Sequence, residues 1–123
     1  MNDPILIASA ARTPIGGMLG DFASLQAWQL GSASIRAAVE RAGVKGEQID
    51  EVLMGNCLLA GQGQAPARQA ALGAGLPQSA GAVTLSKMCG SGMRAMMFAH
   101  DMLVAGSAVS IGAWVRSGAG SRG

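Results

Sequence analysis

The hydrophobic positions of this chain change their spacing several times, which predicts alternating strands and helices. A short apolar run, typical of a buried strand, occupies residues 5–8, and further short segments that read as strands occupy residues 51–55, 82–86 and 108–112. Helical segments lie between them, over residues 24–42, 66–73 and 90–104. This β-α-β-α-β-α-β order predicts an α/β domain with a mostly parallel sheet, because every connection is long enough to hold a crossover helix.

Capping residues support the first two helices. Ser24 can cap the start of the first helix, and Gly43 can end it in a left-handed conformation. Pro66 suits the first turn of the second helix, where its missing N–H costs nothing.

The last predicted helix is apolar nearly all round. Its apolar residues are Met93, Ala95, Met96, Met97, Phe98, Ala99, Met102, Leu103 and Val104. A helix of this kind belongs between two layers, and one sheet covers only one side of it. We therefore expect a second domain or subunit on the other side; the alternative is an Ala- and Met-rich helix that tolerates partial exposure.

Composition narrows the class of protein. The chain has 123 residues, 50% of them hydrophobic and 13% charged, which excludes a disordered chain. No apolar stretch reaches the roughly 18 residues of a membrane span, and Asp3 stands where a secretion signal would carry basic residues. We expect a soluble, cytoplasmic protein.

Charge and cysteine content argue against nucleic-acid binding, a metal site and a disulfide framework. The formal net charge is +2, and residues 1–108 are neutral, with no basic cluster for nucleic acid. The two cysteines, Cys57 and Cys89, have neither metal-ligand spacing nor a disulfide framework. We expect reduced thiols, no metal site, no membrane partner and no nucleic-acid partner.

The segment from Ser86 to Gly92 carries the candidate chemistry. Cys89 lies where a strand runs into a helix, and the free N–H groups of a helix start stabilise a thiolate and an oxyanion. Gly90, Ser91 and Gly92 leave room for a bulky ester or thioester to reach the sulfur. These features predict a nucleophilic cysteine that is acylated and then gives up its acyl group. The alternative is an inert cysteine beside glycines that serve packing.

The general base for such a nucleophile is not evident. The only histidine, His100, lies eleven positions after Cys89, about 16 Å along a shared helix at 1.5 Å per residue. It is therefore interpreted as a packing or helix-flank residue. A dinucleotide site is not favoured either, since no G-x-G-x-x-G follows the first strand.

Three ordered segments resemble the N-terminal half of thiolases, the acetyl-CoA acyltransferases. Ile7–Gly16 is similar to the family's first strand and loop. Glu51–Asn56 with Gly61–Ala70 is similar to its second strand and the loop and helix that follow. Lys87–Ala95, read as Lys-Met-Cys-Gly-Ser-Gly-Met-Arg-Ala, matches the active-site segment. The resemblance covers about residues 4–108.

The resemblance implies a fold and an activity. The fold would be the layered αβαβα sandwich of thiolases, of which this chain holds part of the N-terminal half, with helix 90–104 central. Cys89 would carry the acyl-thioester intermediate as an acyl group moves between CoA thioesters, in acetoacetyl-CoA synthesis or 3-ketoacyl-CoA thiolysis, within fatty acid or ketone body metabolism. No bound cofactor is implied, CoA thioesters are the substrates, and the intact family member is expected to be a dimer or tetramer.

The sequence also departs from the family. The family's G-H-P-x-G, N-x-N-G and C-x-G-x-G segments, which carry its other catalytic groups, are absent here. After Ala108 the resemblance stops, and no acidic residue follows Asp101. We hypothesise a domain over residues 1–108 and a divergent tail over residues 109–123 that arises from a reading-frame change, which would leave this chain inactive alone.

Two alternative functions remain open. One alternative is a non-catalytic fragment that docks its apolar helix face on a partner. The other is another cysteine acyltransferase of the same fold, such as a ketoacyl synthase, although the segment Lys87–Gly92 favours thiolases.

Overall fold

The computed structural model describes residues 3–115, and its helices and strands alternate. The elements are α1 (Ala27–Ala42), β1 (Glu51–Gly55), α2 (Pro66–Gly73), β2 (Gly81–Leu85), α3 (Ser91–Ala105) and β3 (Ile111–Val115), with a 3-10 turn at Gly46–Gln48. This order confirms the predicted α/β class.

The three strands form a parallel sheet in the order β2-β1-β3, so β1 is central. Side chains of β1 alternate between its two faces, as the pleat requires. Val52 and Met54 join the core beneath α1 and α2, whereas Leu53 packs with Ala95 and Ala99 of α3. The sheet therefore separates two helical layers, and α3 has a layer to itself.

The first two helices follow local signals closely. Gly43 ends α1 with a φ of 69°, as predicted, and α2 spans the predicted residues. The start of α1 is Ala27 rather than Ser24, because the Gln29 side chain accepts the Gln26 backbone N–H and caps the helix there. Residues 18–24 form turns and a bend instead.

The predicted first strand is wrong. Residues 5–8 form no strand, and Leu6 and Ile7 are both 77% exposed. The two edges of β1 are already occupied by β2 and β3, so no central position in the sheet remains for this run. The first hydrogen bond to α1 comes directly after residues 5–8, where Ser9 Oγ donates to the Ala38 carbonyl at 2.6 Å.

The last strand begins later than predicted, at Ile111 rather than Ala108. The cause is Asp50, whose Oδ2 accepts the backbone N–H groups of Val109 at 2.7 Å and Ser110 at 3.1 Å. These two residues therefore bind a side chain before the strand begins. The divergent tail over residues 109–123 stays a hypothesis, and residues 116–123 lie outside the described part.

Asp50 gives a testable pH dependence. The N–H groups of Val109 and Ser110 hold the pKa of its carboxyl below the ordinary value, because they stabilise the carboxylate. A lowered folded-state pKa contributes stability that is present above the unfolded-state pKa of about 4 and is lost as the pH falls through the folded value. We expect Asp50→Asn to lower the melting temperature at pH 7, and we expect the melting temperature of this variant to depend less on pH below about 4. Asp50→Ala should have a lower melting temperature at pH 7 than Asp50→Asn.

Thermal melts between acid and neutral pH, followed by circular dichroism, check this expectation. Asp21→Asn is the matched control, since Asp21 is an exposed loop carboxylate that accepts no hydrogen bond from another described residue. Equal melting curves for the Asp50 and Asp21 variants would show that the Asp50 contact adds nothing.

One face of α3 is covered by the sheet and the opposite face is open. Gly92, Ala95 and Ala99 are buried against the strands. The open face carries large apolar side chains that are between 43% and 68% exposed: Met93, Met96, Met97, Phe98 and Val104. The prediction that the sheet covers only one side of this helix is confirmed. No helix within residues 3–115 is long and apolar enough to span a bilayer.

Candidate active site

Two strands end together where the candidate nucleophile lies. Gly55 of β1 is in register with Leu85 of β2, and the Asn56 N–H donates to the Leu85 carbonyl at 3.0 Å. The carboxyl ends of parallel strands share one edge of a sheet, and α/β folds bind ligands beyond that edge. Cys57 and the turn before α3 both leave the sheet there.

Cys89 lies in the turn that joins β2 to α3. Its side chain is exposed and its thiol is free, and the helix begins two residues later at Ser91. The preceding residue, Met88, has a φ of 47°, a left-handed conformation that is uncommon for a residue with a long side chain. This backbone reversal turns the chain sharply out of β2. Cys89 therefore occupies the strand-to-helix junction that the sequence predicts, while its catalytic role stays a prediction.

The buried side chain of Ser91 forms hydrogen bonds to the backbone of this turn. It is 3% exposed, and its Oγ accepts the Lys87 N–H at 2.8 Å and donates to the Met88 carbonyl at 2.6 Å. Backbone bonds close the same turn, from Gly90 N–H to the Lys87 carbonyl at 2.9 Å and from Ser91 N–H to the Met88 carbonyl at 3.2 Å. The conformation on both sides of Cys89 is thus fixed by hydrogen bonds.

Gly55 supports the same turn from the neighbouring strand. A Cβ at Gly55 would lie 2.6 Å from the Ser91 carbonyl carbon and 2.7 Å from the Gly92 nitrogen. Only glycine lets β1 approach the first turn of α3 this closely. The apolar pattern of the sequence does not assign this role to Gly55, although a glycine at the end of an apolar strand is a recognised signal for close backbone approach.

The N-terminus of α3 gives the turn a positive potential. The helix has 15 residues, and its aligned peptide dipoles leave partial positive charge on the first N–H groups. In the described part of the chain no side chain caps this end of α3. The Ser91 N–H donates to the Met88 carbonyl, so the N–H groups that follow Ser91 are the ones left for a negative charge that develops beside Cys89. Such an arrangement is suited to a thiolate and to the oxyanion of an attacked carbonyl.

The other candidate residues, Cys57 and His100, do not belong to this turn. Cys57 is only partly exposed and follows β1, with α2 beginning nine residues later at Pro66. His100 lies on the open face of α3, and its Nδ1 is 3.2 Å from Asp101 Oδ1. Within residues 3–115 no group of three His, Cys, Asp or Glu side chains is close enough to hold a metal ion.

Comparison with known proteins decides the family. The sequence profile described as "Thiolase, N-terminal domain" matches residues 5–113 of this chain. The chain belongs to the thiolase family.

Thiolase relatives are similar in sequence over most of this chain. The mitochondrial acetyl-CoA acetyltransferase of Xenopus tropicalis is 57% identical over 102 residues, which cover 83% of this chain and 24% of that protein. A cytosolic acetyl-CoA acetyltransferase of Gibberella zeae is 52% identical over 116 residues, covering 88% of this chain and 29% of that protein. The chain therefore spans about a quarter of the length of the curated relatives it matches, and these relatives include both mitochondrial and cytosolic forms.

Solved thiolase structures share the fold described above. An Ascaris suum thiolase in complex with coenzyme A superposes with a TM-score of 0.80 at 36% identity, over 81% of this chain and 26% of that one. An acetyl-CoA acetyltransferase of Syntrophomonas wolfei gives a TM-score of 0.79 at 41% identity, over 83% of this chain and 26% of that one. The described residues thus form part of a thiolase fold.

Proposed function

We propose that this chain carries the nucleophile of an acyltransferase that moves acetyl or acyl groups between CoA thioesters. The observation that supports it most is the exposed Cys89 thiol on a hydrogen-bonded turn at the start of α3. The named activity of its relatives, acetyl-CoA acetyltransferase, supplies the substrate class. A cytoplasmic location and assembly into a dimer or tetramer are part of the same proposal.

The chemistry assigned to Cys89 is one acyl transfer in two steps. The thiolate sulfur attacks the thioester carbonyl carbon, and the carbonyl electrons move to oxygen as the carbon–sulfur bond forms. The oxyanion then collapses, the bond to the CoA sulfur breaks, and CoA leaves as the thiolate that takes up a proton. The N–H groups at the start of α3 stabilise the oxyanion because they carry partial positive charge.

Mapping of the acetyl group tests this proposal. Trypsin cleaves after Lys87 and Arg94, so Cys89 is released in the peptide Met88–Arg94, whereas Cys57 stays in Gly46–Arg68. After incubation with acetyl-CoA, we expect a mass increase of one acetyl group on the first peptide, removable by hydroxylamine as a thioester is. Acetylation confined to Gly46–Arg68, or to no peptide, would contradict the assignment of Cys89.

Turnover is a separate expectation. Within residues 3–115 no histidine lies at the Cys89 turn, since His100 is eleven positions further along the chain and bonds Asp101. A chain of these residues should therefore show no thiolysis of acetoacetyl-CoA above background, measured by loss of the Mg²⁺-enolate absorbance. Turnover that disappears in Cys89→Ala would show that the chain supplies its own proton transfer.

A second candidate function rests on the open face of α3. The exposed Met93, Met97 and Phe98 favour a fragment that docks on another protein without catalysis. Gel filtration and heteronuclear NMR of the chain distinguish the two, since a stable monomer with dispersed resonances does not need a partner to cover this face.

A further inference from the structure

Ser91 Oγ makes two hydrogen bonds to backbone groups of the two residues just before the candidate nucleophile. It accepts the N–H of Lys87, before the turn, and donates to the carbonyl of Met88, within it. Ser91 is 3% exposed, so it does not meet a substrate itself. Its hydroxyl is therefore placed to set the conformation of the turn rather than to react.

The bond to Met88 fixes the direction of the next amide. The Met88 carbonyl and the Cys89 N–H belong to one peptide unit, and no peptide bond in the described residues is cis. In a trans peptide the carbonyl oxygen and the N–H point in opposite directions. Because the Met88 carbonyl points to Ser91, the Cys89 N–H points away from Ser91, and Cys89 itself is exposed.

We propose that Ser91 is a positioning residue for acyl transfer: its hydroxyl holds the Met88–Cys89 peptide so that the Cys89 N–H faces the carbonyl attacked by the sulfur. This inference rests on the proposed function of Cys89. Met88 has a left-handed backbone, and its carbonyl accepts the Ser91 hydroxyl at 2.6 Å as well as the Ser91 N–H at 3.2 Å. A residue in this sparsely populated region persists only where its surroundings hold it, and Ser91 supplies a side-chain bond on each side of Met88.

Two reactions of the same sulfur separate this role from a general structural one. Acetylation by acetyl-CoA passes through an oxyanion, whereas alkylation by iodoacetamide displaces iodide and forms none. In a Cys57→Ser background, we expect Ser91→Ala to slow acetylation of Cys89 at least about tenfold, since removal of a whole oxyanion donor costs about 100- to 1000-fold. Alkylation should change less than about twofold, because no oxyanion has to be stabilised.

Variants and a measurement on the unaltered chain complete the test. Ser91→Thr keeps the hydroxyl and should restore acetylation, and Ser107→Ala, at an exposed serine after α3, is the matched control. Hydrogen exchange of the unaltered chain should show a protected Lys87 amide and a rapidly exchanging Cys89 amide. This measurement does not depend on whether any variant folds.

Each outcome has a distinct meaning. Equal acetylation in Ser91→Ala and the parent, a parallel loss of acetylation and alkylation, failure of folded Ser91→Thr to acetylate, or a protected Cys89 amide would each overturn the role of Ser91. Absence of acetylation on Cys89 in the parent chain, with normal alkylation, would instead contradict the proposed function of Cys89, and the exchange experiment would still report on the turn.

Discussion

Replacement of Cys89 by alanine is expected to abolish acetylation of the chain by acetyl-CoA completely, because the substitution removes the atom that accepts the acyl group. The matched variant, Cys57→Ala, should be acetylated at the rate of the parent chain. Intact-mass measurements over time give both rates, and labelling with iodoacetamide counts the remaining thiol in each variant.

The structure gives two reasons for choosing Cys89 over Cys57. Cys89 is exposed and lies two residues before a 15-residue helix, where the first N–H groups favour negative charge. Cys57 is partly covered and has no helix start beside it, since α2 begins nine residues later. Acetyl transfer that persists in Cys89→Ala and vanishes in Cys57→Ala would reverse this choice.

The elements that sequence analysis predicted well are those with local signals. Gly43 stops α1 because glycine adopts its positive φ at little cost, and Pro66 starts α2 because its missing N–H is not needed there. The strand Glu51–Gly55 has the predicted bounds. In each case the residue that decides the boundary lies within the element or directly beside it.

The failures concern contacts between distant parts of the chain. The run at residues 5–8 has the composition of a buried strand, but both sides of the central strand β1 are already paired, with β2 and β3, and the run stays outside the sheet. The start of β3 is displaced because Asp50, about 60 residues earlier, binds the N–H groups of Val109 and Ser110. Apolar spacing carries no information about such partners.

The same difference between local signals and distant contacts applies to the candidate site. Cys89 is identifiable from sequence because glycine, cysteine and a following helix stand within a few residues of one another. The supporting residues Ser91 and Gly55 are not identifiable from sequence in this way. Ser91 acts through backbone atoms of Lys87 and Met88, and Gly55 acts through a contact between two elements. A sequence thus identifies the reacting atom more readily than the structure that holds it.

Gly55→Ala is expected to be the most destabilising substitution at the site. The added Cβ would meet Ser91 and Gly92 backbone atoms at 2.6 to 2.8 Å, and backbone in a helix cannot move aside as a flexible side chain can. Overpacking typically costs about 1–3 kcal/mol, and we expect the upper end here, a large part of the roughly 5–15 kcal/mol that stabilises a domain. Urea denaturation measures the loss directly.

The same substitution should also slow acetylation of the fraction that remains folded. To relieve the contact, α3 must move away from β1, and the Cys89 turn must move with it because Ser91 belongs to both. Gly17→Ala is the matched control, since a Cβ there has nothing within 4 Å and should change neither property. If Gly55→Ala unfolds at the same urea concentration as Gly17→Ala and is acetylated equally fast, β1 does not hold the nucleophile turn in place.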